Sequence, residues 1–167
     1  MLKYILVLLL VGCGGPSEIC RPVYPRMDCN GCGCEQPHGP PIGFQLDPTT
    51  TWKVGRAFSD AVDYINDTAG CTILVPSLTP DIILREGEGT GGNSSYSYNG
   101  PYIFGCVSTV GVDNIDRDLR VVAIHEISHC LGMDHENFPG NIMNPYIQFE
   151  PEFTSGQIQI LRDICGS

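Results

Sequence analysis

The order of hydrophobic and polar residues predicts a group of strands with one helix among them, followed by two further helices. Four short runs rich in β-branched and aromatic residues predict strands: Ile42–Leu46 and the segments 71–76, 81–86 and 101–110. Between the first two runs, apolar residues recur at helical spacing: Val54, Phe58, Ala61 and Ile65. This helix is predicted to begin at Asp47-Pro48, a cap residue followed by proline, and to end at Gly70.

The second half of the chain predicts a loop and two helices. Residues 86–101, EGEGTGGNSSYSYNGP, are rich in glycine, serine and asparagine and predict a mobile loop. A helix is predicted from residue 117 or 118 into the segment HEISHCLGMDHE at 125–136. A last helix is predicted from Thr154, where Thr-Ser-Gly-Gln matches a capping box, to Gly166.

The N-terminal residues predict export from the cytosol. The apolar run at 5–11 is too short to span a bilayer and fits the hydrophobic region of a signal peptide at 1–12. The tetrapeptide LVGC at 10–13 resembles the lipobox of bacterial lipoproteins, which implies cleavage before Cys13 and a lipid anchor on its sulfur. A secreted protein without lipid and an uncleaved anchor are the alternatives.

The cysteine content indicates the cellular compartment, and the net charge limits the kinds of partner that the protein could bind. Nine cysteines are an odd number, and assigning Cys13 to the lipid leaves eight, enough for four disulfides in an oxidising compartment. Residues 13–41, which contain four of the eight, predict a Cys/Pro/Gly-rich tether before a single domain at 42–167. A net charge of −10 disfavours nucleic acid as a partner and leaves the lipid as the means of membrane attachment. We expect a monomer.

The segment at 125–136 carries candidate metal chemistry. His125 and His129 are four residues apart, so on a helix their rings project from one face. Glu126 lies beside that face, where it would contact a metal-bound water rather than the metal. Gly132 would let the helix stop and turn, so that His135 returns as a third ligand. Two histidines and a glutamate could otherwise form an ordinary polar helix face.

The full pattern HExxHxxGxxH is the signature of the metzincin metalloproteases, which this chain therefore resembles. The segment NIMNP at 141–145 resembles the family's Met-turn, which implies that Met143 forms a hydrophobic floor beneath the metal. This segment and the C-terminal tail are most similar to bacterial matrixin-type proteins, whereas Glu136 directly after the third histidine is typical of astacins. Tyr146 stands one residue further from the methionine than the extra zinc-binding tyrosine of astacins, so that role is not carried over.

The resemblance implies an α+β domain with a twisted mixed sheet, an antiparallel edge strand, an active-site helix, a Met-turn and a C-terminal helix. It implies one catalytic Zn²⁺ held by His125, His129 and His135, with Glu126 as the general base of peptide hydrolysis. A protein or peptide substrate would lie extended along the edge strand, expected at 102–108. The alternatives are an inactive, lipid-tethered zinc-binding module and a cell-wall peptide hydrolase with the same zinc chemistry.

The remaining cysteines and acidic residues carry weaker predictions. At about 100° per residue, Cys130 points away from the histidines and into packing. Because the last helix of metzincins packs behind the active-site helix, the resemblance implies a Cys130–Cys165 disulfide. Cys71 and Cys106, in neighbouring strand regions, would form a second bridge; free buried thiols are the alternative. Two further sets of side chains have competing interpretations. Cys20, Cys29, Cys32 and Cys34 predict a disulfide knot, with a zinc-capping thiolate from one of the last three as the alternative. Asp113, Asn114, Asp116 and Asp118 predict a Ca²⁺ site or ordinary caps and turns.

Overall fold

The computed structural model describes residues 41–99, 102–146, 148 and 150–165. The signal peptide, Cys13 and the tether lie outside these residues and stay predictions, as does the choice between a disulfide knot and a zinc-capping thiolate. None of the helices in the described part of the chain has the length and apolar content that a bilayer crossing requires.

The described chain forms a five-stranded mixed sheet and three α-helices, which confirms the predicted α+β class. The strands are β1 (Ile42–Leu46), β2 (Leu74–Pro76), β3 (Ile82–Gly87), β4 (Gly92–Asn99) and β5 (Tyr102–Gly111), in the spatial order β2-β1-β3-β5-β4. All neighbours are parallel except β4 and β5, which are antiparallel. The helices are α1 (Trp52–Ala69), α2 (Asp116–Cys130) and α3 (Ser155–Cys165).

Helix α1 confirms the predicted apolar face but begins later than the sequence suggested. Val54, Phe58 and Ile65 are among its buried residues. Asp47 instead caps a local turn, because its carboxylate accepts hydrogen bonds from the backbone N–H and the hydroxyl of Thr49. The helix ends as predicted at Gly70, whose φ of 76° is left-handed and whose N–H bonds the carbonyls of the last turn.

Helix α1 contacts both of the other helices, and α2 also lies against the sheet. Helix α2 lies against β4, β5 and α1, and α1 also contacts β2 and β3. Helix α3 packs against α1. Its start confirms the capping box: the Gln157 N–H lies 3.3 Å from the Thr154 hydroxyl, and the Gln157 amide oxygen accepts from the Thr154 N–H at 2.9 Å.

The predicted loop at 86–101 is wrong, because β4 occupies residues 92–99. Its backbone groups pair antiparallel with β5, from Gly92 opposite Val110 to Asn99 opposite Tyr102. Tertiary pairing therefore overrides the low strand propensity of glycine, serine and asparagine. The expected edge strand at 102–108 is wrong for the same reason: β5 lies between β3 and β4, and β4 is the edge.

The predicted disulfide pairing is also wrong. The four cysteines are bonded as Cys71–Cys165 and Cys106–Cys130, with Cα separations of 6.2 and 5.7 Å. Because α3 packs against α1, Cys165 reaches Cys71, which follows that helix; α2 packs against β5, so Cys130 meets Cys106. Cys130 is buried and turned into packing, as the helical wheel predicts.

Candidate active site

Three imidazole nitrogens converge at the end of α2. The Nε2 atom of His129 lies 3.0 Å from that of His125 and 3.1 Å from that of His135, and the third separation is 3.1 Å. In the described part of the chain, these residues form a group whose ligand atoms could hold one metal ion. The structure thus brings together the three histidines that the sequence selected.

Backbone carbonyls determine which nitrogen of two histidines faces the centre. The Nδ1 atom of His125 lies 2.8 Å from the carbonyl oxygen of Ile142, and that of His129 lies 2.7 Å from the carbonyl of Met133. A carbonyl only accepts, so each Nδ1 carries the proton and each Nε2 presents a lone pair to the centre. Burial lowers the pKa of His125 to about 4 and also lowers the pKa of His129, which favours the neutral, metal-binding form.

This donor set fits zinc. Three neutral imidazoles with a position left open are a typical catalytic zinc arrangement, with each nitrogen about 2.0–2.1 Å from the ion. Lone pairs that face one another at 3.0–3.1 Å without a proton between them repel, and a cation at their centre removes that repulsion.

The turn after α2 explains how His135 reaches its neighbours. The N–H of Met133 bonds the carbonyl of Ser128 at 3.0 Å and that of Gly132 bonds the carbonyl of His129 at 3.0 Å, which together form a Schellman cap. Gly132 has the predicted left-handed conformation, with φ of 95°. The reversed chain carries His135 back to the face of α2 and also supplies the Met133 carbonyl that orients His129.

Glu126 is buried between α2 and the edge strand. Its Oε2 atom accepts a hydrogen bond of 2.7 Å from the hydroxyl of Ser94 on β4. Burial raises the pKa of Glu126, and the hydrogen bond from Ser94 acts in the opposite direction. Gly92, two residues earlier on β4, leaves the space that the glutamate occupies, since a Cβ there would lie 2.6 Å from Oε1.

The Met-turn is held by one asparagine. The Oδ1 atom of the buried Asn141 accepts from the N–H of Met143 at 2.7 Å and from the amide of Gln157 at 3.0 Å. Its Nδ2 donates to Glu136, whose N–H donates to the carbonyl of Met143. Met143 is fully buried. Because this turn contains the Ile142 carbonyl that bonds His125, it orients one imidazole of the centre.

An open cleft of about 450 Å³ gives access to these residues. Its lining includes the three histidines and Glu126 together with Gly91, Gly92, Asn93, Ser94, Tyr96, Asn144, Pro145 and Tyr146. A second cavity of about 810 Å³ shares Val121, Ile142, Gln148 and Pro151 with the cleft and continues it towards α1. The exposed Tyr146 therefore lies in the cleft wall.

The acidic segment before α2 has other partners. Asn114 is buried, and its side chain bonds the N–H and carbonyl of Gly91 and the carbonyl of Gly111, at 2.8 Å each. Asp116 forms an ion pair of 2.9 Å with Lys53. These contacts match the turn-residue interpretation, and calcium at this segment stays a prediction.

Four residues that shape the site are not among the site residues that the sequence predicts. The composition of residues 86–101 predicts a loop at Gly92 and Ser94, although the alternation of Tyr96 and Tyr98 in SSYSYN is a strand signal. The sequence places Asn141 only in a turn and Gln157 only in a helix cap. Their contact across 16 residues has no local signal.

A protein family and several curated proteins share sequence with this chain. The model of the matrixin family matches residues 37–163. Matrix metalloproteinase-16 of Rattus norvegicus and that of Homo sapiens are each 39% identical to this chain over 64 residues, which is 38% of this chain and 10% of theirs. Matrix metalloproteinase-15 of Homo sapiens is 33% identical over 64 residues, 38% of this chain and 9% of its own. The match thus spans about a tenth of the length of these curated relatives.

Among solved structures, that of myroilysin aligns with a TM-score of 0.42 and 24% identity, over 59% of this chain and 50% of that one.

Proposed function

The chain belongs to the matrixin family of metalloproteases, and from that premise we propose that it is a zinc-dependent endopeptidase with Glu126 as its general base. The observation that carries the proposal is the convergence of three Nε2 atoms at 3.0–3.1 Å beside a buried glutamate in an open cleft. His125, His129 and His135 are the proposed zinc ligands.

The proposed chemistry divides between the ion and the protein. Zinc, when bound, supplies a Lewis acid and lowers the pKa of a coordinated water to about 7. Glu126 takes one proton from the attacking water while the water oxygen bonds to the carbonyl carbon of the peptide. Glu126 then delivers that proton to the nitrogen of the departing amine, which breaks the C–N bond and restores the carboxylate.

The proposed substrate is a protein segment in extended conformation along β4. In the described part of the chain, β4 has a strand neighbour on one side only, and several of its residues between 92 and 96 line the cleft. Its other edge is therefore available to pair with the main chain of a substrate, which gives affinity with little dependence on sequence. The opposite wall, formed in part by Pro145 and Tyr146, would contact substrate side chains.

The proposed location is outside the cytosol. Two disulfides in the described residues point to an oxidising compartment. Attachment through a lipid on Cys13 is part of the proposal. Intact-mass analysis of the purified protein tests it, since a chain that begins elsewhere or carries no acyl groups contradicts it.

The test separates zinc binding from chemistry. Glu126→Ala should keep near-stoichiometric zinc and a folded domain, because Glu126 is not among the converging ligands, while cleavage of a peptide library should fall by about 10²–10⁴-fold. His135→Ala should lose or weaken zinc and lose activity with it. Glu88→Ala, which removes an exposed carboxylate outside the cleft, is the matched control and should match the parent.

Each contrary outcome identifies a different error. If Glu126→Ala cleaves like the parent, with metal contamination excluded, Glu126 is not the base. If the parent binds zinc but cleaves no protein, peptide or cell-wall material, the chain is a zinc-binding module. If it digests cell-wall peptides and no protein substrate, it is a cell-wall peptide hydrolase.

A further inference from the structure

We propose that Ser94 is a positioning residue for peptide cleavage: its hydroxyl holds one carboxylate oxygen of Glu126 so that the other is aimed for proton transfer. The proposal rests on the proposed role of Glu126 as general base. It assigns to the edge strand a part in catalysis beyond any pairing with substrate.

The side-chain hydroxyl of Ser94 faces two acceptor atoms of one residue, Glu126. Its Oγ atom lies 2.7 Å from Oε2 of Glu126 and 2.7 Å from the backbone carbonyl oxygen of the same residue. The two residues are 32 positions apart in sequence and lie on different elements, β4 and α2. A glutamate side chain on a helix otherwise samples several rotamers, and this contact restricts it to one.

Gly92 defines the other side of the same carboxylate. It precedes Ser94 by two residues, so both positions face α2 from one side of the strand. A Cβ at Gly92 would lie 2.6 Å from Oε1 and 2.5 Å from Cγ of Glu126, closer than packed atoms approach. The strand therefore binds Oε2 through Ser94 and accommodates Oε1 above Gly92.

This arrangement assigns separate tasks to the two carboxylate oxygens. Oε2 accepts the hydrogen bond from Ser94, whose own proton stays on the serine. Oε1 takes the proton that the attacking water releases and later gives it to the leaving amine. An oriented base contributes to rate rather than to substrate binding, because proton transfer is sensitive to small displacements.

The test compares serine variants in the full chain. Ser94→Ala should lower kcat about 10–100-fold, with KM within about twofold of the parent and with unchanged zinc content and thermal unfolding. Ser94→Thr keeps a hydroxyl on the same carbon and should recover most of the lost kcat. Ser97→Ala, which removes an exposed hydroxyl of β4 outside the cleft lining, is the matched control.

A double-mutant comparison distinguishes positioning from a structural effect. In a Glu126→Ala background, Ser94→Ala should change the residual rate by less than about twofold, because the carboxylate on which Ser94 acts is gone. An equal loss in both backgrounds, a loss confined to KM, or a parent-like kcat in Ser94→Ala would each overturn the role of Ser94. If Glu126→Ala itself cleaves like the parent, the proposed function fails, and the positioning role fails with it.

Discussion

Asn141 shows how single residues support the site from outside it. Its side chain bonds the Met-turn, the segment after His135 and helix α3, and none of these bonds involves an atom of the metal centre. The carbonyl that orients His125 belongs to Ile142, the next residue. The orientation of His125 therefore depends, through Asn141, on a hydrogen bond from the side chain of Gln157, which is 1% exposed.

Gln157 and Gln159 allow this support to be measured. Gln157→Ala should lower the free energy of unfolding by about 2–3 kcal/mol, because it removes one of the partners of Asn141 and the side-chain acceptor of the Thr154 N–H within a buried network. Gln159 is exposed on the same helix and bonds only Asp163 among the described contacts, so Gln159→Ala should cost less than about 0.5 kcal/mol. Denaturant unfolding provides both values, and equal costs would contradict the network.

At the level of elements, strand β4 is part of the sheet and also lines the cleft. It pairs with β5, contacts α2 and carries Gly92 and Ser94 to the side chain of Glu126. Asn114 anchors its start by bonding Gly91. A polar strand of low intrinsic propensity is thus held by contacts at its ends and on one face.

Gly92→Ala tests how closely this strand approaches the base. The added methyl would overlap Glu126 and Val122, so we expect at least a tenfold loss of kcat with zinc retained. Gly156 is exposed in α3, and an added Cβ there would lie 3.9 Å from the Thr154 hydroxyl oxygen, so Gly156→Ala should keep activity and stabilise the fold by about 0.5–1 kcal/mol. Parent-like kinetics for Gly92→Ala would show that the strand yields without displacing Glu126.

At the scale of the molecule, two disulfides in the described part of the chain join segments far apart in sequence. Cys71–Cys165 closes 94 residues and connects the end of α3 to the segment after α1, whereas Cys106–Cys130 closes 24 residues and connects α2 to β5. Cys106 and Cys130 belong to the buried core, whereas Cys71 and Cys165 pack against it. Cys130 directly follows His129 in sequence. Because Cys71–Cys165 closes the longer loop, it removes more conformational freedom from the unfolded chain than Cys106–Cys130 does.

Peptide mapping without reduction should recover Cys71 joined to Cys165 and Cys106 joined to Cys130. By the chain-entropy relation, replacing the first pair with alanines should cost about 4–5 kcal/mol and replacing the second about 3–4 kcal/mol. Calorimetry of the two double variants measures which replacement costs more stability. A Cys130–Cys165 peptide would contradict the packing of α3 against α1.

Features that depend on neighbours a few residues apart are predictable from the sequence. The spacing of His125 and His129 fixes them on one helix face, Gly132 allows the turn that returns His135, and Thr154 with Gln157 forms a cap. Each follows from local backbone geometry, which a short segment already specifies. The family signature added the expected α+β fold class, which the mixed sheet and the three helices confirm.

Features that join distant segments depend on how whole elements pack against one another. Residues 92–99 became a strand because β5 pairs with them, although their composition favours a loop. Disulfide pairing followed from which helix packs on which, and the contact between Ser94 and Glu126 spans 32 residues. Such contacts depend on the packing of whole elements, so local propensity and spacing carry no information about which partners meet.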